Sequence, residues 1–212
     1  LSSDPSGASR DAPSGFSEQK HRQILNAAAR LFVSRGYEAT TVDAIAQLAG
    51  VSKATIYAHA GSKQELFIHI LHSKSGELWR SLEAQASEFA DIVSTLREIG
   101  RLFLELILSQ DGLDLYRVIV SEAPRSGVGR IFYETGPCAL VARVAAVLET
   151  ARERGELEFD SATRAAEVFL GILQSHDHMP RLLGTAPMPS TGELDATVGQ
   201  AVAIFLKAFR SG

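Results

Sequence analysis

The sequence predicts an all-α protein, with an N-terminal three-helix head followed by a longer helical body. Three observations carry this reading. From Phe16 onward the apolar residues recur with helical spacing. No stretch alternates with period two, so no sheet is expected. Prolines 124, 137, 180, 187 and 189 fall where helices can end or begin. The 212 residues suffice for one large domain or two small ones around a buried core. With 45% hydrophobic and 22% charged residues, the composition is that of an ordinary soluble chain.

Residues 1–15 are rich in Ser, Gly, Pro, Asp and Ala, and are expected to form a disordered arm. A first helix follows, from about Ser17 to Ser34. Ile24, Leu25, Ala28, Leu31 and Phe32 make its apolar face, and Gly36 stops it. Thr41 caps a short helix over 42–49, with Val42, Ile45, Ala46 and Ala49 inward and Gly50 at its end. Ser52 caps a third helix over 53–59, which Gly61 stops. Ser62 caps a fourth, and Glu65 three residues on completes a capping-box pattern. That helix extends to about Ala86, which makes it about 36 Å long. The body continues as helices near 91–109, 113–123, 127–153, 161–178 and 193–210, the third of them open to a break at Gly136-Pro137. The segment 180–192 holds three prolines and two glycines and is read as an exposed loop. The domain division is therefore an arm (1–15), a head (16–62) and a body (63–212).

Bulk properties narrow the function. No apolar run reaches 18 residues, so no membrane span or membrane partner is expected. The first seven residues lack the apolar stretch of a signal peptide. The single cysteine, Cys138, cannot form an internal disulfide and is read as a buried thiol. Together these features point to the cytoplasm. The net charge of −4 is unevenly spread. Residues 1–75 hold eight basic and six acidic side chains, against thirteen and nineteen in the remainder. A mildly basic head on an acidic body suits a nucleic-acid contact confined to the head.

Residues 41–60 are the most informative stretch. A short helix, a glycine turn and a second capped helix make a helix-turn-helix. Gly50 allows the reversal because it adopts positive φ without a Cβ penalty. Val51 and Ile56 lock the second helix against Ile45 and Ala46. The polar N-terminal face of that helix, Ser52, Lys53 and Thr55, is then free to reach base edges in a major groove. Tyr57, His59 and Lys63 lie beside the phosphates, and Thr41 with the first amides of the short helix forms another anion site.

Several segments carry a family resemblance. They are Gly36-Tyr37 before Thr40-Thr41, then Thr41-Val42-Asp43-Ala44-Ile45-Ala46, then Ala49 to Tyr57 (AGVSKATIY), then Gly61 to Phe67 (GSKQELF). Over about residues 18–70 the chain resembles the TetR family of one-component regulators. The resemblance implies double-stranded operator DNA as partner and Thr41, Ser52, Lys53, Ala54, Thr55, Tyr57, His59 and Lys63 as the DNA-facing set. Ala54 stands where the family often has glycine, at no cost in a helix. Ala60 stands where the family usually has an aromatic residue, which predicts looser packing between the third and fourth helices.

Further on, Leu115 to Arg125 (LYRVIVSEAPR) and Phe132 to Pro137 (FYETGP) are similar to the AefR-like C-terminal branch, with Arg152 to Leu157 and Ala166 to Leu173 extending the match. This implies a ligand-binding and dimerising body. The candidate ligand-binding residues are Phe103, Ile107, Tyr116, Val120, Phe132, Tyr133, Phe169, Leu173 and His176, with Tyr116, Tyr133 and His176 as the polar members. The implied effector is a small, partly apolar molecule. The fourth helix is the expected lever between body and head. A homodimer is expected through the last two helices. Phe169, Leu170, Leu173, Val198, Val202, Phe205, Leu206 and Phe209 form a large apolar face there, and two such pairs would make a four-helix bundle.

Other signals are bland. Glu65, His69 and His72 have metal-compatible spacing but read as a solvated helix face, and His176-Asp177-His178 reads as a cap or surface. No phosphate loop, Gly-x-Ser-x-Gly or His-Glu-x-x-His occurs, so no catalytic residue, metal or cofactor is assigned. The leading function is a ligand-responsive repressor on a pseudo-palindromic operator. An activator with the same head is one alternative. A helical enzyme or carrier with a DNA-head look-alike is the other.

Overall fold

The computed structural model describes residues 15–85, 91–175 and 177–210. The arm up to residue 14 and His176 lie outside these residues. The head begins with α1 (Gly15–Arg35), α2 (Val42–Ala49) and α3 (Lys53–Ala60). Its boundaries follow from local chemistry. Thr41 Oγ1 accepts from the Ala44 N–H at 3.2 Å and caps α2. Gly50 takes a left-handed conformation at φ 64°. The Val51 N–H then donates to Ala46 O at 3.0 Å, which closes a Schellman turn. Ser52 Oγ accepts from the Thr55 N–H at 3.0 Å and starts α3.

Helix α4 (Lys63–Gln85) runs out of the head. Only half of the expected capping box forms there. Ser62 Oγ accepts from the Glu65 N–H at 3.1 Å, but the Ser62 N–H donates to Ala60 O. The Glu65 carboxylate instead receives the Ser62 hydroxyl at 3.4 Å. Ala60 is buried in the head core despite its small side chain. That core is filled by three rings, Phe32, Tyr37 and Phe67, with centroids 5.3–5.8 Å apart.

The body comprises α5 (Ile92–Leu108), α6 (Gln110–Glu122), α7 (Val128–Tyr133), α8 (Ala139–Glu153), α9 (Ala162–Gln174), α10 (His178–Leu182) and α11 (Thr191–Phe209). The break considered at Gly136-Pro137 is a π-helical turn over 134–138, so α7 and α8 form one continuous helical run. A wide turn of this kind accommodates the missing N–H of Pro137. Cys138 is exposed on it, not buried as its neighbours suggested. An 18-residue stretch of the 128–153 run has a mean hydropathy of 1.4, which on length and composition alone is apolar enough to cross a membrane. Of this run, Val144, Ala145, Leu148 and Ala151 of α8 are packed in the body core. The one β pairing among the described residues is an isolated bridge, Leu157 to Arg210.

Two departures from the sequence reading matter for function. First, the 180–192 segment is not all loop. Residues 178–182 form α10, and Arg181 on it is only 9% exposed. His178 is equally buried, so it is not simply surface. Second, the apolar faces of α9 and α11 are consumed within the protomer. Phe169, Leu173 and Phe205 are fully buried and Leu170, Val198 and Val202 nearly so, packed with α5 and α8. That face therefore carries no case for a dimer. The large apolar residues that remain exposed on these helices are Val168 (41% exposed) and Ile204 (47% exposed).

Apolar packing divides into two clusters. One joins α5, α8, α9 and α11. The other is the head core, which extends beyond residue 62: it takes Leu66, Phe67, Ile70 and Leu71 from α4, and also Val118, Ile119 and Val128 from α6 and α7. The head is thus tied to the body through α6 as well as α4.

Candidate nucleic-acid interface

The α2–α3 pair presents most of the expected residues outward. Thr41, Ser52, Lys53, Ala54 and Tyr57 are exposed, Tyr57 at 47%. Thr55, His59 and Lys63 are half-buried. Beneath them Ile45, Ala46, Ala49 and Ile56 are buried, so the second helix is seated rigidly on the first. Ser52 and Thr55 share a hydroxyl–hydroxyl bond of 2.8 Å, which sets two hydrogen-bonding groups side by side at the N-terminal turn of α3. Amides at a helix N-terminus point outward there, and the helix dipole favours an anion.

Lys53 is held at rest. Its Nζ lies 3.0 Å from both carboxylate oxygens of Asp43. The hydrogen bond to Asp43, then its charge, raises the ammonium pKa above its ordinary value. Both side chains are well exposed, so the pair is weak and its lysine can be released to a phosphate or base. Lys63 is engaged differently. Its Nζ donates to Tyr37 O at 3.0 Å and Glu38 O at 3.4 Å, and sits 4.4 Å above the Tyr37 ring. In the free head it braces the turn after α1.

Sequence reasoning missed three participants. Thr40 is 1% exposed, and its hydroxyl lies within bonding distance of Gly36 O (2.7 Å) and Leu31 O (3.1 Å), fixing the α1–α2 turn. Asp43 was seen only as part of a motif, because a pair ten residues apart across a turn has no periodic signature. His21 on α1 lies between His59 of α3 and His69 of α4, with ring centroids 6.3 and 5.6 Å away. Burial, then the charges of His69 and His59, lowers the His21 pKa.

The candidate ligand-binding residues are not gathered in one place. Phe103, Phe169 and Leu173 are in the body core, with Ile107 packed against it. Phe132 packs against the head core, and Tyr116 touches Phe132 edge-on at 5.7 Å. Val120 (54%) and Tyr133 (62%) are exposed on the protomer surface.

Comparison with known proteins agrees with this geometry. The model of bacterial regulatory proteins of the tetR family matches residues 24–70. The model of the AefR-like transcriptional repressor C-terminal domain matches residues 94–211. The chain belongs to the TetR family. The uncharacterized HTH-type transcriptional regulator YvkB of Bacillus subtilis is 30% identical over 154 residues, 72% of this chain and 78% of YvkB. The transcriptional activator FasR of Mycolicibacterium smegmatis is 33% identical over 103 residues, 49% of this chain, which spans about half the length of FasR (47%). The solved structure of the flavonoid-responsive regulator FrrA superposes with a TM-score of 0.70 at 33% identity, covering 91% of this chain and 98% of that one. This TetR-family chain has the fold and relatives of DNA-binding transcription regulators, not of enzymes.

Proposed function

We propose that this TetR-family chain is a ligand-responsive repressor. It binds a pseudo-palindromic operator as a homodimer and is released by a small molecule. The observation that supports it best is the exposed, Ser52-capped N-terminal turn of α3, backed by a buried seat. Ser52, Lys53, Ala54 and Thr55 face base edges in the major groove. Thr41, Tyr57, His59 and Lys63 lie along the phosphates, and two heads on a two-fold axis set the half-site spacing. The protein works in the cytoplasm, where its operator is.

FrrA is described as flavonoid-responsive. We carry over to this chain the class of effector that name implies, an aromatic molecule with oxygen substituents. Its binding to one arrangement of the heads shifts operator affinity by the difference in affinity between arrangements.

The test is a gel shift with the chain's own upstream region at several salt concentrations. The wild type is expected to bind that fragment over a scrambled one, with affinity falling steeply as salt rises. Thr55→Ala with Tyr57→Ala is expected to abolish the specific shift. A double variant that shifts the fragment as well as wild type would show that α3 does not read the operator. FasR is named an activator, and the same head serves that role. Transcript levels in a deletion strain separate the two: the target transcript rises for a repressor and falls for an activator.

A further inference from the structure

The body contains one polar centre that neither head nor core explains. It lies on α10, the short helix between α9 and α11. Arg181 is 9% exposed, and its Nη1 donates to Asp177 Oδ1 at 2.6 Å and to Asp177 O at 3.0 Å. Asp177 is itself fixed, because the Thr197 hydroxyl of α11 donates to its Oδ2 at 2.8 Å. The guanidinium is therefore locked in place. Yet its Nε–H is fully buried and has no hydrogen-bond partner among the described residues. A buried donor left unpaired costs free energy that any acceptor oxygen reaching it would return. His178 lies three residues earlier on the same face of α10 and is also buried. Its ring meets Tyr116 of α6 edge-on at 5.1 Å, and Tyr116 meets Phe132 at 5.7 Å.

We propose that α10 forms the polar end of the effector site, where Arg181 Nε–H donates to a neutral carbonyl oxygen of an aromatic ligand walled by Tyr116, Phe132 and His178. This rests on the reading of the chain as effector-responsive. Charge decides for a neutral oxygen. The positive charge of Arg181 is already matched by Asp177, so a ligand carboxylate would meet the aspartate without a free cation to offset it. His178 supplies none, because burial lowers its pKa and keeps the imidazole neutral. The site also has a path to the head. Arg117 of α6 donates from Nε to Leu182 O and from Nη2 to Arg181 O, both at 2.8 Å. The next two residues of α6, Val118 and Ile119, enter the head core.

The experiment is calorimetric titration of the full chain with three probes, unsubstituted flavanone, flavan (the same molecule without the carbonyl oxygen) and benzoate, each also tested for release of the operator in the gel shift. Flavanone is expected to bind once per protomer, and flavan and benzoate more weakly by on the order of tenfold or more. Arg181→Lys keeps a cation opposite Asp177 but lacks the Nε–H. It is expected to lose on the order of tenfold in flavanone affinity while flavan binding is unchanged. Equal affinity of wild type for flavanone and flavan overturns the proposal, and needs no variant to fold. Unchanged flavanone binding in a folded Arg181→Lys overturns it too. If benzoate binds and releases the operator while flavanone does neither, this site falls and the effector reading stands. If none of the three binds, this site falls as well.

Discussion

Gly36 and Gly50 both sit at positive φ, 85° and 64°, but they are constrained differently. Nothing lies within 4 Å of a Cβ added at Gly50. Gly50→Ala therefore costs only backbone strain, about 1 kcal/mol in urea unfolding. At Gly36 the added Cβ would also stand 2.6 Å from Glu122 Oε1, at the end of α6. Gly36→Ala is expected to cost more than Gly50→Ala, because the carboxylate must move as well. Equal losses would show that Glu122 does not press on the turn. The stop at Gly36 was legible in the sequence, but the reason for it was not, since Glu122 is 86 positions away. The histidine trio gives a second test at this scale. Burial first, then His69 and His59, lowers the His21 pKa from its ordinary 6.5. Between that lowered value and 6.5 the unfolded chain binds more protons than the folded one. Stability is therefore full above 6.5 and declines as pH falls. The melting temperature is expected to drop from pH 7.5 to 5.5, and His21→Gln to flatten that drop. His178, lowered by burial, adds in the same direction and leaves a residual slope. An unaltered slope in His21→Gln would show that His21 does not contribute to the pH dependence of stability.

Elements closed by local chemistry could be read from the sequence, and elements closed by distant contacts could not. Helix α2 matches the expected 42–49, and α3 runs one residue past 53–59, because Thr41, Ser52, Gly50 and Gly61 act within one turn. Helix α11 starts at 191 instead of 193, and the signal was present. Ser190 and Glu193 form a complete capping box, with the Glu193 carboxylate accepting the Ser190 N–H at 2.7 Å. Helix α10 was hidden behind Pro180, and two of the groups that hold it, Thr197 and Arg117, come from other helices. Caps in the head and the body should separate by readout. Ser190→Ala and Thr41→Ala each remove an N-cap and are expected to cost about 1 kcal/mol of stability. Only Thr41→Ala is expected to weaken operator binding as well. If Ser190→Ala weakens the operator complex as much, the effect of Thr41 is folding alone.

At the scale of the whole molecule, periodicity shows that a face is apolar but not what covers it. Phe169, Leu173 and Phe205 look like an interface in the sequence, yet the protomer covers them completely. A homodimer through α9 and α11 must then use the outward residues, of which Val168 and Ile204 are the large ones. Helices α9 and α11 pack against each other, as the two protomer helices of such a bundle must. Burying such a surface against its copy would form the four-helix bundle without disturbing either core. Val168→Asp with Ile204→Asp places four carboxylates in that interface and none in the core. Sedimentation velocity is expected to show the wild type as a dimer and the double variant as a monomer with unchanged helicity. The monomer is also expected to lose the operator shift, because one head engages only one half-site and the second no longer binds as part of the same molecule. A double variant that still sediments as a dimer would place the two-fold axis elsewhere on the body. Loss of the shift with the dimer intact would mean that this surface reaches the heads by another route.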